Sequence, residues 1–566
     1  MKNLLFIIIL VILSSPVSFA QQNHINPSTK AFNLKWEIIE NNHSNKLQSL
    51  SALTLLTSDE LIPAYGWKLY FNFAEQILPD STTSNLKITP INGDLFCLSP
   101  TESFKGIKAN DSLRISLVST GWLTNITDAP HGFYLIWDNA PQQYYKVNIS
   151  VKPTSGPKQY MRSPQDKVGL STPELVYEQN KNIRNIPADS LVKIFPTPDS
   201  SQVTSDKFIL DASVAIYADP AFKSEAANLK TELLKLLIPV PDRVKAQKNY
   251  IKLIKKPMAP EAYELVINNN SISIASSSGA GIFYGMQSLK TLLPAQAWHH
   301  PQKTIIIPGL KVKDKPRFAY RALMLDVARN FQPKMEIIKL LDVMALYKLN
   351  VLHFHLCDDE GWRLEIPALP ELTVVGSNRG HTLTNKQYLQ PTVGSGPFVH
   401  TLPGSGYYSR ADFIDLLRYA NEKHITIIPE IESPGHARAA IKAMDARYDY
   451  FYQKGEKEQA RQYLLHDLQD TSKYISVQHY NDNVIDVSLP STYNFIETVT
   501  GEIEKMYQEA GAPLKSIHYG GDEVPAGVWE RSPSFLSLMK TDTAIKSTDD
   551  LWGYYYNRVN NILQKH

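Results

Sequence analysis

The sequence predicts a multidomain protein: an N-terminal β-sandwich, a small α+β domain, and a (β/α)8 barrel of the TIM type with only about its first four β/α units present. Three observations lead there. Short alternating runs broken by turn residues fill the N-terminal part, and a hairpin followed by an apolar helix fills the middle. Continuous apolar strands alternating with helices fill the remainder. A length of 566 residues suits about three to four domains at about 150 residues each.

Residues 1–20 read as a secretory signal peptide. Lys2 gives the positive start, Leu4 to Leu13 are continuously apolar, and Ser18 and Ala20 offer a small-x-small cleavage site. The apolar run is too short to span a bilayer, no other stretch is long enough, and no cysteine follows to carry a lipid. The mature chain is therefore expected to be exported, to the periplasm or the medium, without a transmembrane segment.

Residues 21–195 read as all β. The runs Trp67–Phe73, Leu113–Val118 and Tyr144–Val151 alternate apolar and polar residues between Pro, Gly and Asn turns, the pattern of a sandwich. Residues 196–312 are mixed. Tyr263–Ile267 and Ser271–Ala275 form a hairpin turning on Asn268–Asn270, and Gly281–Leu293 carries apolar residues at helical spacing up to Pro294.

Residues 313–566 alternate strand and helix. Ala322–Val327 is a strand; Pro333 at the first helical position then opens a helix bearing Ile337, Leu340, Leu341 and Met344. Asn350–Leu356 is the second strand, followed by a long Gly-, Pro- and Thr-rich loop to Tyr408. Ser409 and Asp412 form a capping box for the next helix, and Ile425–Ile431 is the third strand. A polar stretch from about Tyr448 to Asn483 precedes a helix carrying Phe495, Val499, Ile503 and Met506. Ser516–Tyr519 is the fourth strand, and Leu551–Lys565 is a final helix. Such strands belong to a parallel sheet covered on both faces, either a barrel or a doubly wound sheet. No glycine-rich phosphate loop follows any strand, which disfavours a nucleotide site. Ionisable groups decide for the barrel. Asp326 and Arg329, then His353, His355, Asp358 and Asp359, then Glu430, Glu432 and His436, then Asp522 and Glu523 all fall at successive strand ends.

Composition narrows the function. With 43% hydrophobic and 20% charged residues the chain is an ordinary globular protein, and a net charge of +2 gives no general attraction to nucleic acid or anionic lipid. Cys97 and Cys357, the two cysteines, lie in different predicted domains and read as small buried apolar residues. Gly520-Gly521-Asp522-Glu523 presents two adjacent acids at a tight strand-end turn. In a partly dry pocket like charges separate into one proton donor and one anion, the division of labour that glycosidic cleavage needs. A helix cap is the plainer explanation of such a pair taken alone. The His353-x-His355 pair admits a zinc site, a structural layer inside the barrel, or imidazoles oriented by Asp358 and Asp359; the last fits at least as well as metal ligation. Trp362 and the Tyr407-Tyr408 pair admit sugar stacking, with packing the commoner role.

The segments Arg321–Asn330, His353–Arg363, Pro429–His436 and His518–Glu523 together closely resemble glycoside hydrolase family 20, the β-N-acetylhexosaminidases, and their bacterial chitobiase branch. The resemblance spans nearly all of the mature sequence. It implies a carbohydrate-binding-like domain, a second small domain and a catalytic barrel. The implied activity is exo-acting removal of N-acetylhexosamine from chitin oligosaccharides or related glycans, with no cofactor and no metal. Its mechanism would be retaining and substrate-assisted, the sugar's 2-acetamido oxygen acting as nucleophile. Glu523 would be the general acid and then base, and Asp522 would orient the acetamido group. Arg329 would bind ring hydroxyls, with Asp358, His355 and His436 supporting the acid and the sugar subsite. Glu432 stands where the family commonly has Asp.

Eight strands close a barrel and four are counted, so residues 1–566 are expected to be weakly active or inactive, as a fragment or a truncated product. The alternatives are a carbohydrate-binding protein without activity and, more remotely, a metal-dependent amidohydrolase.

Overall fold

The computed structural model describes residues 32–79, 85–187, 191, 193–239 and 249–566. The predicted signal peptide lies outside them. Among the described residues no helix is long and apolar enough to cross a membrane.

The N-terminal unit is a sandwich of two sheets. One has the order β6-β2-β1-β9, built from β1 (Asn33–Asn41), β2 (Gln48–Leu56), β6 (Ser112–Thr120) and β9 (Ile149–Val151). The other has the order β4-β5-β3-β7-β8, from β3 (Trp67–Asn72), β4 (Leu86–Asn92), β5 (Leu95–Pro100), β7 (His131–Trp137) and β8 (Ala140–Lys146). Alternate residues of each strand point inward, so Trp36, Leu53, Trp67, Phe71, Phe96, Ile115 and Leu117 share one buried core. The run expected as one strand over Tyr144–Val151 is two. The chain leaves β8 after Lys146, buries Val147 between the layers, and re-enters as β9 parallel to β1 in the opposite sheet. Alternation continues through such a corner, so sequence spacing alone does not reveal it.

The middle unit is a six-stranded sheet of order β10-β15-β13-β14-β12-β11. Its strands are β10 (Ser200–Leu210), β11 (Ala215–Ala218), β12 (Tyr250–Lys255), β13 (Tyr263–Ile267), β14 (Ser271–Ser276) and β15 (Ile305–Asp314). The β13–β14 hairpin forms as expected. Ile267 faces Ile272, and Asn268 Oδ1 accepts from the amides of Asn270 at 3.0 Å and Ser271 at 2.8 Å. The helix Gly279–Thr291, capped by the Ser278 hydroxyl, packs on this sheet.

In the C-terminal unit, β16 (Ala322–Asp326), β17 (Val351–Asp358) and β19 (Thr426–Ile431) form a parallel sheet with β17 central, and the short β18 (Gly361–Trp362) pairs antiparallel with β17. Helices Lys334–Leu346 and Arg410–Glu422 connect these strands, and Arg438–Gln453 and Pro490–Ala510 follow β19. The Ser409–Asp412 capping box is present, and Gly511 ends Pro490–Ala510 in the left-handed conformation. Three expectations change. Ser516–Tyr519 is not a strand but a single bridge, His518 to Glu430, although His518 N still donates to Pro429 O at 3.0 Å. Pro333 occupies the cap, and the helix starts at Lys334. The helix Arg438–Gln453, not anticipated, begins directly after the third strand-end motif and buries Ala439, Ala440, Ile441, Ala443 and Met444.

The long loop after β17 folds around Arg363. This guanidinium is fully buried and donates to five carbonyls: Val327 at 3.1 Å, Ser377 at 2.9 Å, Gly406 at 3.0 Å, Ala328 at 2.6 Å and Gly404 at 3.1 Å. Burial first, then the nearby Arg379 charge, pushes it down to about 9. Lysine offers three donors in place of a five-donor fork. Arg363→Lys is expected to strand at least two carbonyls, at about 1–3 kcal/mol each. Calorimetry should show a lowered transition for the C-terminal unit, with faster trypsin cleavage between residues 376 and 406; an unchanged melt would contradict this account.

Candidate active site

The parallel register lays one row of side chains across the carboxyl ends of the strands: Asp326 beside His355, His355 beside Glu430, and Glu430 beside His518. Asp358 ends β17 directly above this row and is fully buried. Arg329 Nη1 reaches its Oδ2 at 2.6 Å, His355 Nε2 reaches the same oxygen at 3.0 Å, and His436 Nδ1 lies 3.3 Å from Oδ1. Burial opposes the charge, but hydrogen bonds from His355 and His436 and the Arg329 charge hold this carboxyl well below the usual range. The imidazoles respond in kind. Burial alone would depress His355, but hydrogen bonds to Asp358 and Glu430 lift it to about 10. His436 rises to about 11 against burial through Asp358 and Asp359.

His355 is gripped at both nitrogens, with Nδ1 at 2.6 Å from Glu430 Oε2. Glu430 also meets His353 Nε2 at 2.9 Å and His518 Nδ1 at 2.7 Å. Burial raises its carboxyl, yet the imidazoles dominate and bring it down to about 2. Arg329 is completed by Glu360 at 2.8 Å and Asp326 at 3.1 Å. His353 therefore sits in a layer beneath the row, where burial, against the pull of Glu430, lowers its basicity. The donor atoms of His353, Glu430 and His518 lie within 4.8 Å of one another, as do those of His355, Asp358 and Glu432.

Asp522 and Glu523 stand above. Glu523 Oε2 accepts from Gln478 Nε2 at 2.6 Å and lies 3.4 Å from His436 Nε2. One ligand atom each from His436, Asp522 and Glu523 falls within 4.8 Å of the other two. Contacts therefore run unbroken from Arg329 through Asp358 and His436 to Glu523. Both acids are exposed, Glu523 with 41% of its side chain, so the partly dry pocket expected around them is not formed among the described residues.

Of the residues expected to bind substrate, Arg329 is partly open, whereas His355, Asp358, Glu432 and His436 have side chains at most 5% exposed and act from behind. Glu432 explains its own length. It points under the Gly520-Gly521 turn, where a Cβ on Gly520 would sit 1.7 Å from its Oε2, and Gly520 has φ +59°. A missing side chain at 520 makes room for the additional methylene at 432. Trp362 and Tyr408 are core residues, fully buried, Trp362 packing edge-on to Phe495. Tyr407 is exposed.

Sequence reasoning did not single out Gln478, Glu360 or Asn483. Gln478 is an isolated amide in a polar stretch, with no spacing to mark it. Asn483 holds Asp359 Oδ2 at 2.9 Å, and Glu360 simply continues the run Asp358-Asp359.

Comparison with known proteins gives three matches along the chain. Residues 318–566 match "Glycosyl hydrolase family 20, catalytic domain", residues 191–315 match "Glycosyl hydrolase family 20, domain 2", and residues 36–174 match "Putative carbohydrate binding domain". A β-hexosaminidase of Vibrio vulnificus is 35% identical over 88% of this chain and 59% of its own length. One from Vibrio furnissii is 32% identical over 84% of this chain and 69% of its own length. The N,N'-diacetylchitobiase of Vibrio harveyi is 34% identical over 90% of this chain. The chain spans 59% of the length of the V. vulnificus and V. harveyi relatives. A crystal structure of the exo-β-N-acetylglucosaminidase from V. harveyi in complex with N-acetylglucosamine superposes with a TM-score of 0.73, at 29% identity, covering 94% of this chain and 74% of that one.

Burial, then the Asp358 charge, pushes the Glu432 carboxyl up to about 8 from its ordinary 4.5. Between those values the folded chain keeps a proton that the unfolded chain has released, so this group destabilises the fold increasingly as pH rises. Glu432→Gln fixes the neutral form. Thermal melts are expected to show no difference from the parent near pH 4.5 and a growing gain in Tm toward pH 8; a difference independent of pH would refute the assignment.

Proposed function

We propose that this chain, which belongs to glycosyl hydrolase family 20, carries the catalytic acids of an exo-acting β-N-acetylhexosaminidase that removes terminal N-acetylhexosamine from chitin oligosaccharides or related glycans. One observation supports this best: two adjacent acids on a glycine turn just after the bridge at His518, with Glu523 Oε2 held between Gln478 and His436. Oε2 already accepts from Gln478 and faces His436, which leaves Oε1 to carry the acid proton. Glu523 gives it to the leaving oxygen while the substrate's acetamido oxygen attacks the anomeric carbon and the glycosidic bond breaks. Asp522 steadies the acetamido N–H and the positive oxazolinium ring. Water then attacks the same carbon, the ring reopens, and Glu523 recovers its proton, so the configuration is retained. Arg329, fixed by Asp358, Glu360 and Asp326, holds ring hydroxyls of the terminal sugar.

In this reading β16, β17, β19 and the bridge at His518 are the first four steps of a (β/α)8 wall. The leader of residues 1–20 directs the chain out of the cytoplasm. The exposure of Glu523 makes residues 1–566 a slow catalyst, since acids standing in water lose the electrostatic advantage of an enclosed site.

A chromogenic N-acetylglucosaminide is the direct test. Slow release, insensitive to chelators, is expected. Glu523→Gln should lower it about 10²–10⁴-fold while leaving affinity for N-acetylglucosamine intact. Binding without release in both forms would instead favour a carbohydrate-binding protein. Release abolished by chelators would favour a metal-dependent amidohydrolase.

A further inference from the structure

The turn Asn92-Gly93-Asp94 joins β4 to β5 at an edge of the sandwich, and its polar groups are directed at the C-terminal unit. Asn92 Nδ2 donates to Asp482 Oδ1 at 2.9 Å, and Asn92 O accepts from Gln390 Nε2 at 2.6 Å. Gly93 N donates to His479 O at 3.2 Å, and Asp94 Oδ2 accepts from Val393 N at 2.8 Å. Gly93 has φ +56°, and a Cβ there would stand 2.4 Å from the buried ring of Tyr480.

The segments so gripped lead to Glu523 by two routes. Gln478, which donates to Glu523 Oε2, sits in a tight turn closed by Ser476 N to Tyr480 O at 2.7 Å and His479 N to Ser476 O at 2.9 Å. Gly93 holds that turn at His479 and packs against Tyr480. On the second route, Asp482 binds Arg438 Nε at 2.8 Å, and the Arg438 amide donates to Asp359 Oδ1 at 3.1 Å. Asp359 lies 3.6 Å from His436 Nδ1, whose Nε2 faces Glu523. Both groups that orient the acid thus trace back to one turn of another domain.

We propose that this turn is a positioning element of the active site: through Gln478 and His436 it fixes the carboxyl of Glu523, giving the sandwich a role in catalysis distinct from any sugar binding. The proposal rests on the role of Glu523 given above. A merely structural contact would alter stability without acting through Gln478. A misplacement of about 1 Å in a catalytic group is enough to cost an order of magnitude or more in rate.

Two variants of the full chain test it, Asn92→Ala and the more disruptive Gly93→Val. Hydrogen exchange read by mass spectrometry is expected to accelerate about tenfold across residues 476–484 in both, while β2 and β6 stay protected. In turnover, Asn92→Ala should lower kcat about tenfold with KM little changed, and the effect should shrink in a Gln478→Ala background, where only the route through His436 remains. Unaltered exchange at 476–484, or an Asn92→Ala effect that persists undiminished beside Gln478→Ala, overturns the proposal. Parent protein without any turnover would defeat the hydrolase reading alone, and exchange would still decide whether the turn fixes this segment.

Discussion

Everything around the candidate site depends on keeping Asp358 charged although it is almost wholly buried. An isolated carboxylate so placed would take up a proton, but Arg329, His355 and His436 converge on its two oxygens and make ionisation the favoured state. The arrangement is reciprocal: each imidazole is raised by the same carboxylate it stabilises. Asp358, His355 and His436 therefore keep their charges across neutral pH.

That platform contains more carboxyls than it has cations to balance. Asp358 and Glu430 take the imidazoles, while Glu360 and Glu432, both buried, are pushed up to about 8 and keep their protons. Charged and neutral carboxyls thus sit side by side: Glu360 has a donor in Arg329 Nε, but burial and the Asp358 charge outweigh it. Glu432 illustrates how local this sorting is. It lies within 3.9 Å of His355 Nδ1, yet Glu430 occupies that nitrogen at 2.6 Å.

Features that depend on chain-local rules were legible in the sequence. The Asn268 turn, the Ser409–Asp412 capping box, the Gly511 helix end and the apolar strands β16, β17 and β19 follow from spacing and turn chemistry. The strand-end ionisable residues were legible too, because a parallel sheet brings every carboxyl end to one side. What escaped depends on tertiary partners. Ser516–Tyr519 has strand composition but obtains only one bridge, through His518. The helix Arg438–Gln453 is stabilised by burial against its neighbours, and the corner at Val147 arises because two sheets must share one core. Gln478 acquires meaning only from the fold that delivers it to Glu523.

The buried fork of Arg363 has an evolutionary corollary. Its five carbonyl partners come from the backbone after β16 and from separate stretches of the loop that follows β17, so these segments share one anchor. An insertion that displaces any one of them releases hydrogen bonds in the others. Diversity among relatives should therefore accumulate away from residues 404–406 and 377, and grafting this loop between homologues should succeed only when the arginine and all its acceptors travel together.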